Sequence, residues 1–199
     1  MILKKLKPLI HAGLASAAIF LIAGSCMAQD APKVKFATTS GDFVVEVYPD
    51  KAPKTVENFL QYVKDKHYDG TIFHRVIENF MIQGGGFDTK FAQKKTRPPV
   101  IHEGREALAK GGPKNSVGTL AMARTNDPQS ATAQFFINVN ENSFLDPNAQ
   151  QPGYTVFGKV VSGMDIIQKM KSTPTGSGGP FPSDVPKTPI LINSATLVK

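Results

Sequence analysis

The stretch Phe73-His74-Arg75-Val76-Ile77-Glu78-Asn79-Phe80-Met81-Ile82-Gln83-Gly84-Gly85 constrains this chain more than any other. Residues 71–77 and 80–83 are short apolar runs that read as strands, with Glu78-Asn79 as the turn between them. Strand alternation assigns Phe73, Arg75 and Ile77 to one face, and His74 and Val76 to the other. A guanidinium facing sideways from an apolar strand needs a partner or a ligand, because burying an unpaired charge is costly. Phe80, Met81 and Gln83 follow, so apolar surface, an amide and a permanent cation converge in one short segment. Such a set suits a shallow pocket for an apolar group that carries an amide.

Around this hairpin the chain reads as many strands and two helices. Residues 34–39 and 42–48 are strands joined tightly at Ser40-Gly41. Pro53 opens a helix to about residue 66, with Val56, Phe59, Leu60 and Val63 on one face. Residues 84–117 read as a loop, because they hold a triple glycine, Pro98-Pro99 and Gly111-Gly112-Pro113. The lysines and arginines scattered there read as a solvated surface. Strands resume at residues 118–123, 133–139 and 154–160. Gly163 opens a second helix whose buried stripe is Met164, Ile167 and Met170. Residues 173–189 read as a loop, and residues 190–198 as a closing strand. The pattern predicts a mainly β, antiparallel barrel or sandwich.

The amino terminus reads as an address. Lys4, Lys5 and Lys7 precede an apolar stretch at residues 14–23, too short for a comfortable membrane span, and small residues follow to Met27-Ala28. This predicts a secretory signal peptide at residues 1–28, cut after Ala28, ahead of one domain at residues 29–199. A rival reading is lipidation at Cys26, which follows Ala23-Gly24-Ser25 in a loose lipoprotein box. Cys26 is the only cysteine, so the domain itself can fold in an oxidising compartment without thiol chemistry. Three of the formal +7 charges belong to the leader's lysines, and what remains is an ordinary solvated surface.

Several chemistries find no support. His67, His74 and His102 form no metal pattern, and His102-Glu103 lacks the second His of a zinc protease. Thr175-Gly176-Ser177-Gly178-Gly179 lacks the Lys-Ser/Thr ending of a phosphate loop, and the chain has no Gly-x-Ser-x-Gly turn. Basic residues are not interleaved with aromatics, which argues against a nucleic-acid partner.

The organising stretch is joined by Gly118-Thr119-Leu120-Ala121-Met122-Ala123-Arg124, Gln134-Phe135-Phe136-Ile137, Phe144-Leu145-Asp146 and Val156-Phe157-Gly158-Lys159-Val160. Together these resemble the cyclophilin family of peptidyl-prolyl isomerases, in the family's order, from about residue 33 to residue 199. The resemblance implies a cyclophilin-like eight-stranded antiparallel barrel capped by two α-helices, with the ligand on the outer face because side chains fill the interior. It implies peptidyl-prolyl cis-trans isomerase activity without a metal or other cofactor. Arg75 and Gln83 are implied as catalytic. Phe80, Met81, Phe136 and Leu145 supply an apolar cup, Phe144 and Tyr154 its rim, and Ala123, Arg124 and Gln134 the adjoining peptide groove. His74, turned away by alternation, is expected to be a hydrogen-bonded structural residue.

The implied partners are proline-containing peptides and unfolded exported proteins, handled by a periplasmic monomer of bacterial type. A stable membrane association is expected only if Cys26 is lipidated. Two positions depart from the best-known eukaryotic members, which carry Trp where this chain has Phe144 and His where it has Tyr154. Phe lacks the indole N–H, so a ligand such as cyclosporin loses one donor while the aromatic wall stays. The alternative function is a binding module that holds proline segments without turnover. The joint presence of Arg75 and Gln83 favours the enzyme, since a pure binder needs only the cup.

Overall fold

The structure, a computed structural model, describes residues 31–198. The signal-peptide and Cys26 readings lie outside the described residues. In chain order the strands are β1 (Lys33–Thr38), β2 (Gly41–Val47), β3 (Thr71–Ile77), β4 (Met81–Asp88), β5 (Thr119–Met122), β6 (Phe135–Asn138), β7 (Val156–Ser162), β8 (Thr175–Gly178), β9 (Phe181–Pro186) and β10 (Ile192–Val198). The helices are α1 (Pro53–Lys64), α2 (Gly104–Ala109) and α3 (Met164–Lys171).

Eight strands form one sheet in the order β10-β1-β2-β7-β5-β6-β4-β3. Each of its pairings is antiparallel. The sheet curls until its edges meet: Ile72 bridges Leu191, and the N–H groups of Gly70 and Phe73 donate to the carbonyls of Ile192 and Ile190 at 2.8 and 2.9 Å. Closure leaves few exposed strand edges to template aggregation. Inside, Phe36 and Phe43 stack at 5.0 Å, and Phe59 of α1 lies 5.1 Å from Phe157. Tyr68 and Phe135 join them fully buried, while Ile167 and Met170 bring α3 into the same core. The interior is therefore occupied by rings. A second, smaller apolar cluster sits apart from it, made of Met81, Ala121, Phe136 and Val156 with Ile77, Phe80, Ala123, Leu145 and Tyr154 packed against them.

Three expectations need correction. The β1–β2 turn is Thr39-Ser40, one residue before the predicted Ser40-Gly41. Thr38 pairs with Gly41, its hydroxyl donates to the Gly41 carbonyl at 2.6 Å, and it accepts from the Ser40 N–H at 3.1 Å. Residues 84–117 are not all loop. β4 runs on through the triple glycine to Asp88, and α2 lies further along, so the described residues hold three α-helices rather than two. Glycine suits this strand because other groups press on its backbone: a Cβ at Gly84 would lie 2.8 Å from the Phe73 ring, and one at Gly86 would lie 2.5 Å from the Gln134 side chain. Residues 173–189 likewise contain the β8–β9 hairpin, which packs on β3.

The segment after β4 also supplies what α1 lacks. Ala52 caps α1 and offers no side-chain acceptor to its open N–H groups. Glu103, buried beside it, fills that role from across the chain. Its carboxylate accepts from the N–H groups of Lys54 and Thr55 at 3.1 and 2.8 Å and from the Thr55 hydroxyl at 2.7 Å. A negative charge at a helix N-terminus is also favoured by the helix dipole. Glu103→Ala is expected to cost about 3 kcal/mol, because three donors, two of them buried, lose a charged acceptor. Glu103→Gln should cost less. A urea unfolding midpoint for Glu103→Ala equal to wild type would contradict this account.

Candidate active site

Strand pairing draws one row of side chains across the outer face. Arg75 on β3 lies opposite Gln83 on β4, Gln83 opposite Phe136 on β6, Phe136 opposite Ala121 on β5, and Ala121 opposite Val156 on β7. Residues directly opposite in an antiparallel pair share a face, so these side chains are neighbours. Met81, two residues before Gln83, adds to the row.

The predicted alternation of β3 does not hold at its centre. Phe73 pairs with Gly84 and Arg75 with Gln83, so two residues of β3 advance against one of β4. His74 is the extra residue. Phe73 consequently joins the interior core while His74 lies beside Arg75 in the outer groove, the reverse of the expected assignment. Nor is His74 held by hydrogen bonding at Nδ1, which is buried without a partner. Its ring instead stacks on Phe181 of β9 at 5.2 Å and meets Phe87 of β4 at 4.8 Å. Burial, aided by the neighbouring Arg75 charge, lowers its pKa to about 4.

Nine of the proposed site residues line one depression of about 280 Å³: Arg75, Phe80, Met81, Gln83, Ala123, Arg124, Phe136, Leu145 and Tyr154. Gln134 lines an adjoining cavity of about 450 Å³ that shares Arg75, Gln83, Ala123 and Arg124 and is flanked by Phe87 and Phe181. Phe144 is 60% exposed and stacks on Phe80 at 5.7 Å, outside the lining of both.

The floor is apolar and the polar groups stand around it. Gln83 donates from its amide nitrogen to the Gln134 side-chain carbonyl at 2.9 Å. Its own carbonyl accepts no hydrogen bond among the described residues, which leaves it for Arg75 or a ligand. Arg124 is pinned. Its Nε and one Nη donate to the Gly153 carbonyl at 3.2 and 2.9 Å, the other Nη donates to the Thr125 carbonyl at 2.7 Å, and the guanidinium sits 4.5 Å over the Tyr154 ring. Tyr154 in turn meets Phe136 edge-on at 5.5 Å. Arg75 is freer: its side chain is 44% exposed, and its nearest carboxylate partner is Asp184 of β9, 3.9 Å from Nε.

Sequence reasoning missed the groups that hold the cup in shape. Asn142 donates to the Phe80 carbonyl at 2.8 Å and to the Asn138 side chain at 2.7 Å. Asp146, the residue after Leu145, accepts from the backbone and side chain of Asn115 at 2.8 and 2.9 Å. The Tyr154 N–H donates to the Leu145 carbonyl at 3.0 Å, so a rim residue and a cup residue are tied together. The asparagines at 115, 138 and 142, close to apolar strands, were the available signal. Phe181 and Asp184 had none, lying in a segment read as a loop. Among the described residues no group of three or more His, Cys, Asp or Glu is arranged to hold a metal ion, and no helix is long and apolar enough to cross a membrane.

Comparison with known proteins identifies the family. The family model described as cyclophilin type peptidyl-prolyl cis-trans isomerase/CLD matches residues 33–197. The chain is 51% identical over 168 residues to peptidyl-prolyl cis-trans isomerase cyp18 of Streptomyces antibioticus, covering 83% of this chain and 98% of that one. It is 51% identical over 167 residues to peptidyl-prolyl cis-trans isomerase B of Escherichia coli strain K12, covering 82% and 98%. Among solved structures, a cyclophilin type peptidyl-prolyl cis-trans isomerase of Cryptosporidium parvum superposes with a TM-score of 0.66 at 24% identity, over 85% of this chain and 98% of that one, which speaks to the fold. The chain belongs to the cyclophilin-type peptidyl-prolyl cis-trans isomerase family. It is a peptidyl-prolyl cis-trans isomerase, of the kind found in bacteria.

The buried His74 has a consequence for stability. Its pKa falls from 6.5 to about 4 on folding, so between those values the unfolded chain binds a proton that the folded one does not. Stability present above pH 6.5 is therefore lost as pH falls toward 4, by about 3 kcal/mol. Burial lowers the pKa of His67 and His102 as well, with the same sign. His74→Gln should lose less thermal stability than wild type between pH 7 and 4.5. Parallel melting-temperature profiles for the two proteins would refute this.

Proposed function

We propose that the depression between Arg75 and Tyr154 holds the proline ring of an Xaa-Pro segment while the preceding carbonyl turns. Phe80, Met81, Phe136 and Leu145 act as the cup, Phe144 and Tyr154 as its rim, and Ala123, Arg124 and Gln134 as contacts for the adjoining peptide. The barrier to be lowered is about 18–20 kcal/mol and arises from amide resonance. Rotation ends the sharing of the nitrogen lone pair with the carbonyl, so the twisted transition state has a basic, pyramidal nitrogen that the ground state lacks. A donor aimed at that nitrogen binds the transition state more tightly than the substrate, which is what accelerates the reaction. Arg75 is that donor. Its guanidinium stays protonated, and among the described residues none of its N–H groups is committed to a protein hydrogen bond. Gln83 stands opposite Arg75 and meets the guanidinium or the substrate with its free carbonyl.

The observation that carries this reading is the adjacency of an uncommitted guanidinium and an apolar cup on one outer face. Arg75→Lys is expected to be severely impaired despite retaining charge, because an ammonium lacks the planar fork, and Arg75→Ala to be at least as poor. Both should stay folded, since Arg75 lies outside the core. Phe136→Ala should raise KM more than it lowers kcat, because the cup contacts ground and transition states alike. A coupled assay of cis-to-trans conversion on an Xaa-Pro peptide, with circular dichroism on each variant, separates these effects. Near wild-type catalysis by folded Arg75→Ala would sink the mechanism.

The same reading places the enzyme in the periplasm as a monomer that assists the folding of exported proteins. The basic, apolar and small-residue succession of residues 1–28 supports it. The mature chain is expected to begin at Gln29. Mass spectrometry of protein recovered from cells would overturn that expectation by finding a diacylated Cys26, which anchors the enzyme to a membrane instead.

A further inference from the structure

The β8–β9 hairpin brings to the site a charge that the main sheet does not supply. Asp184 on β9 places its carboxylate 3.9 Å from Nε of Arg75, the one ion pair that Arg75 makes among the described residues. It does so from a backbone φ of +66°, a region that residues with side chains adopt uncommonly. Such conformations persist where the surroundings over-determine them, and they collect at functional sites. Here Phe181 of the same strand stacks on His74 at 5.2 Å and meets Phe87 edge-on at 5.2 Å. His74 directly precedes Arg75, so the hairpin is keyed to the piece of β3 that carries the guanidinium. Gln83, the cross-strand neighbour, gives its N–H to Gln134 and makes no hydrogen bond to Arg75.

Resting on the reading of Arg75 as the donor to the prolyl nitrogen, we propose that Asp184 is a positioning residue. Its carboxylate restrains the Nε side of Arg75 so that the terminal N–H groups stay turned toward the cup. A separation of 3.9 Å is too long for a hydrogen bond, so the restraint is Coulombic. Both side chains are partly exposed, at 44% and 36%, so added salt screens it. Asp184 does not touch the substrate; it narrows the orientations from which Arg75 reaches it.

The test is the salt dependence of kcat in wild type, Asp184→Asn and Asp184→Gly. Asparagine and glycine both tolerate a left-handed backbone, so the melting temperature should not fall in either variant. At low ionic strength kcat should drop about three- to fivefold in both, the range expected for an exposed pair, with KM unchanged because the cup is intact. Added sodium chloride should lower the wild-type kcat toward the variants' value and leave the variants flat, a response that a merely structural aspartate would not produce. Wild-type kcat in Asp184→Asn at low salt, or the same salt response in all three proteins, overturns the positioning role while the isomerase reading stands. A wild-type chain without isomerase activity removes the reading beneath it as well.

Discussion

The site depends on one extra residue in β3. With uniform alternation, the strand would either expose Phe73 or turn Arg75 inward among Phe36, Phe43 and Phe135, where no carboxylate waits for it. The register shift between Phe73 and Arg75 removes the conflict: the ring goes in and the guanidinium stays out. Its cost is His74, which is brought onto the outer face and covered with Nδ1 unpaired. Aromatic contact with Phe87 and Phe181 offsets that cost and at the same time docks the β8–β9 hairpin against the site. The bulge thus becomes the means by which two parts of the chain meet beside Arg75.

A filled barrel interior makes this arrangement possible. The inner core and the outer cluster share strands but not side chains, since Ile82 points in between outward Met81 and Gln83, and Ile137 points in beside outward Phe136. The outer row can carry polar and catalytic groups without cutting into the contacts that hold the barrel shut. What the outer cluster lacks in depth is supplied by hydrogen bonds. Asn142 fixes the Phe80 carbonyl, and Asp146 fixes the loop that bears Leu145. Gln134, pressed over Gly86, accepts from Gln83. Rigid placement suits the proposed mechanism, because a donor that must meet a transient lone pair gains little if its surroundings have to reorganise first.

Local periodicity made much of this legible. The helix at Pro53, the strands around Phe43, Phe73 and Phe136, and the gathering of cup residues on one face all follow from short-range patterns and the family's spacing. The failures share a physical origin. Glycine marks a turn when read alone, yet the glycines of β4 are there so that Phe73 and Gln134 can lie against a strand. Glu103 looked like a failed zinc motif and is a helix cap for residues 48 and 49 positions away in the chain. Phe181 and Asp184 sit in a segment rich in proline, glycine and serine, and their worth lies entirely in contacts with β3 and β4. Single-sequence reasoning sees propensity; it does not see which distant backbone a residue will be laid against.

Two arginines border the same depression in different environments. Arg124 makes four hydrogen bonds to backbone carbonyls and sits over the Tyr154 ring, so most of its donors are spent and its position is fixed. The Arg75 guanidinium makes none among the described residues and has one carboxylate 3.9 Å from its Nε. A group that is to stabilise a nitrogen lone pair existing only at the twisted geometry must keep a donor in hand until that moment. The pinned guanidinium lines the wall, and the freer one keeps N–H groups open to a ligand. The two side chains are chemically identical and differ in the donors that the fold has left open.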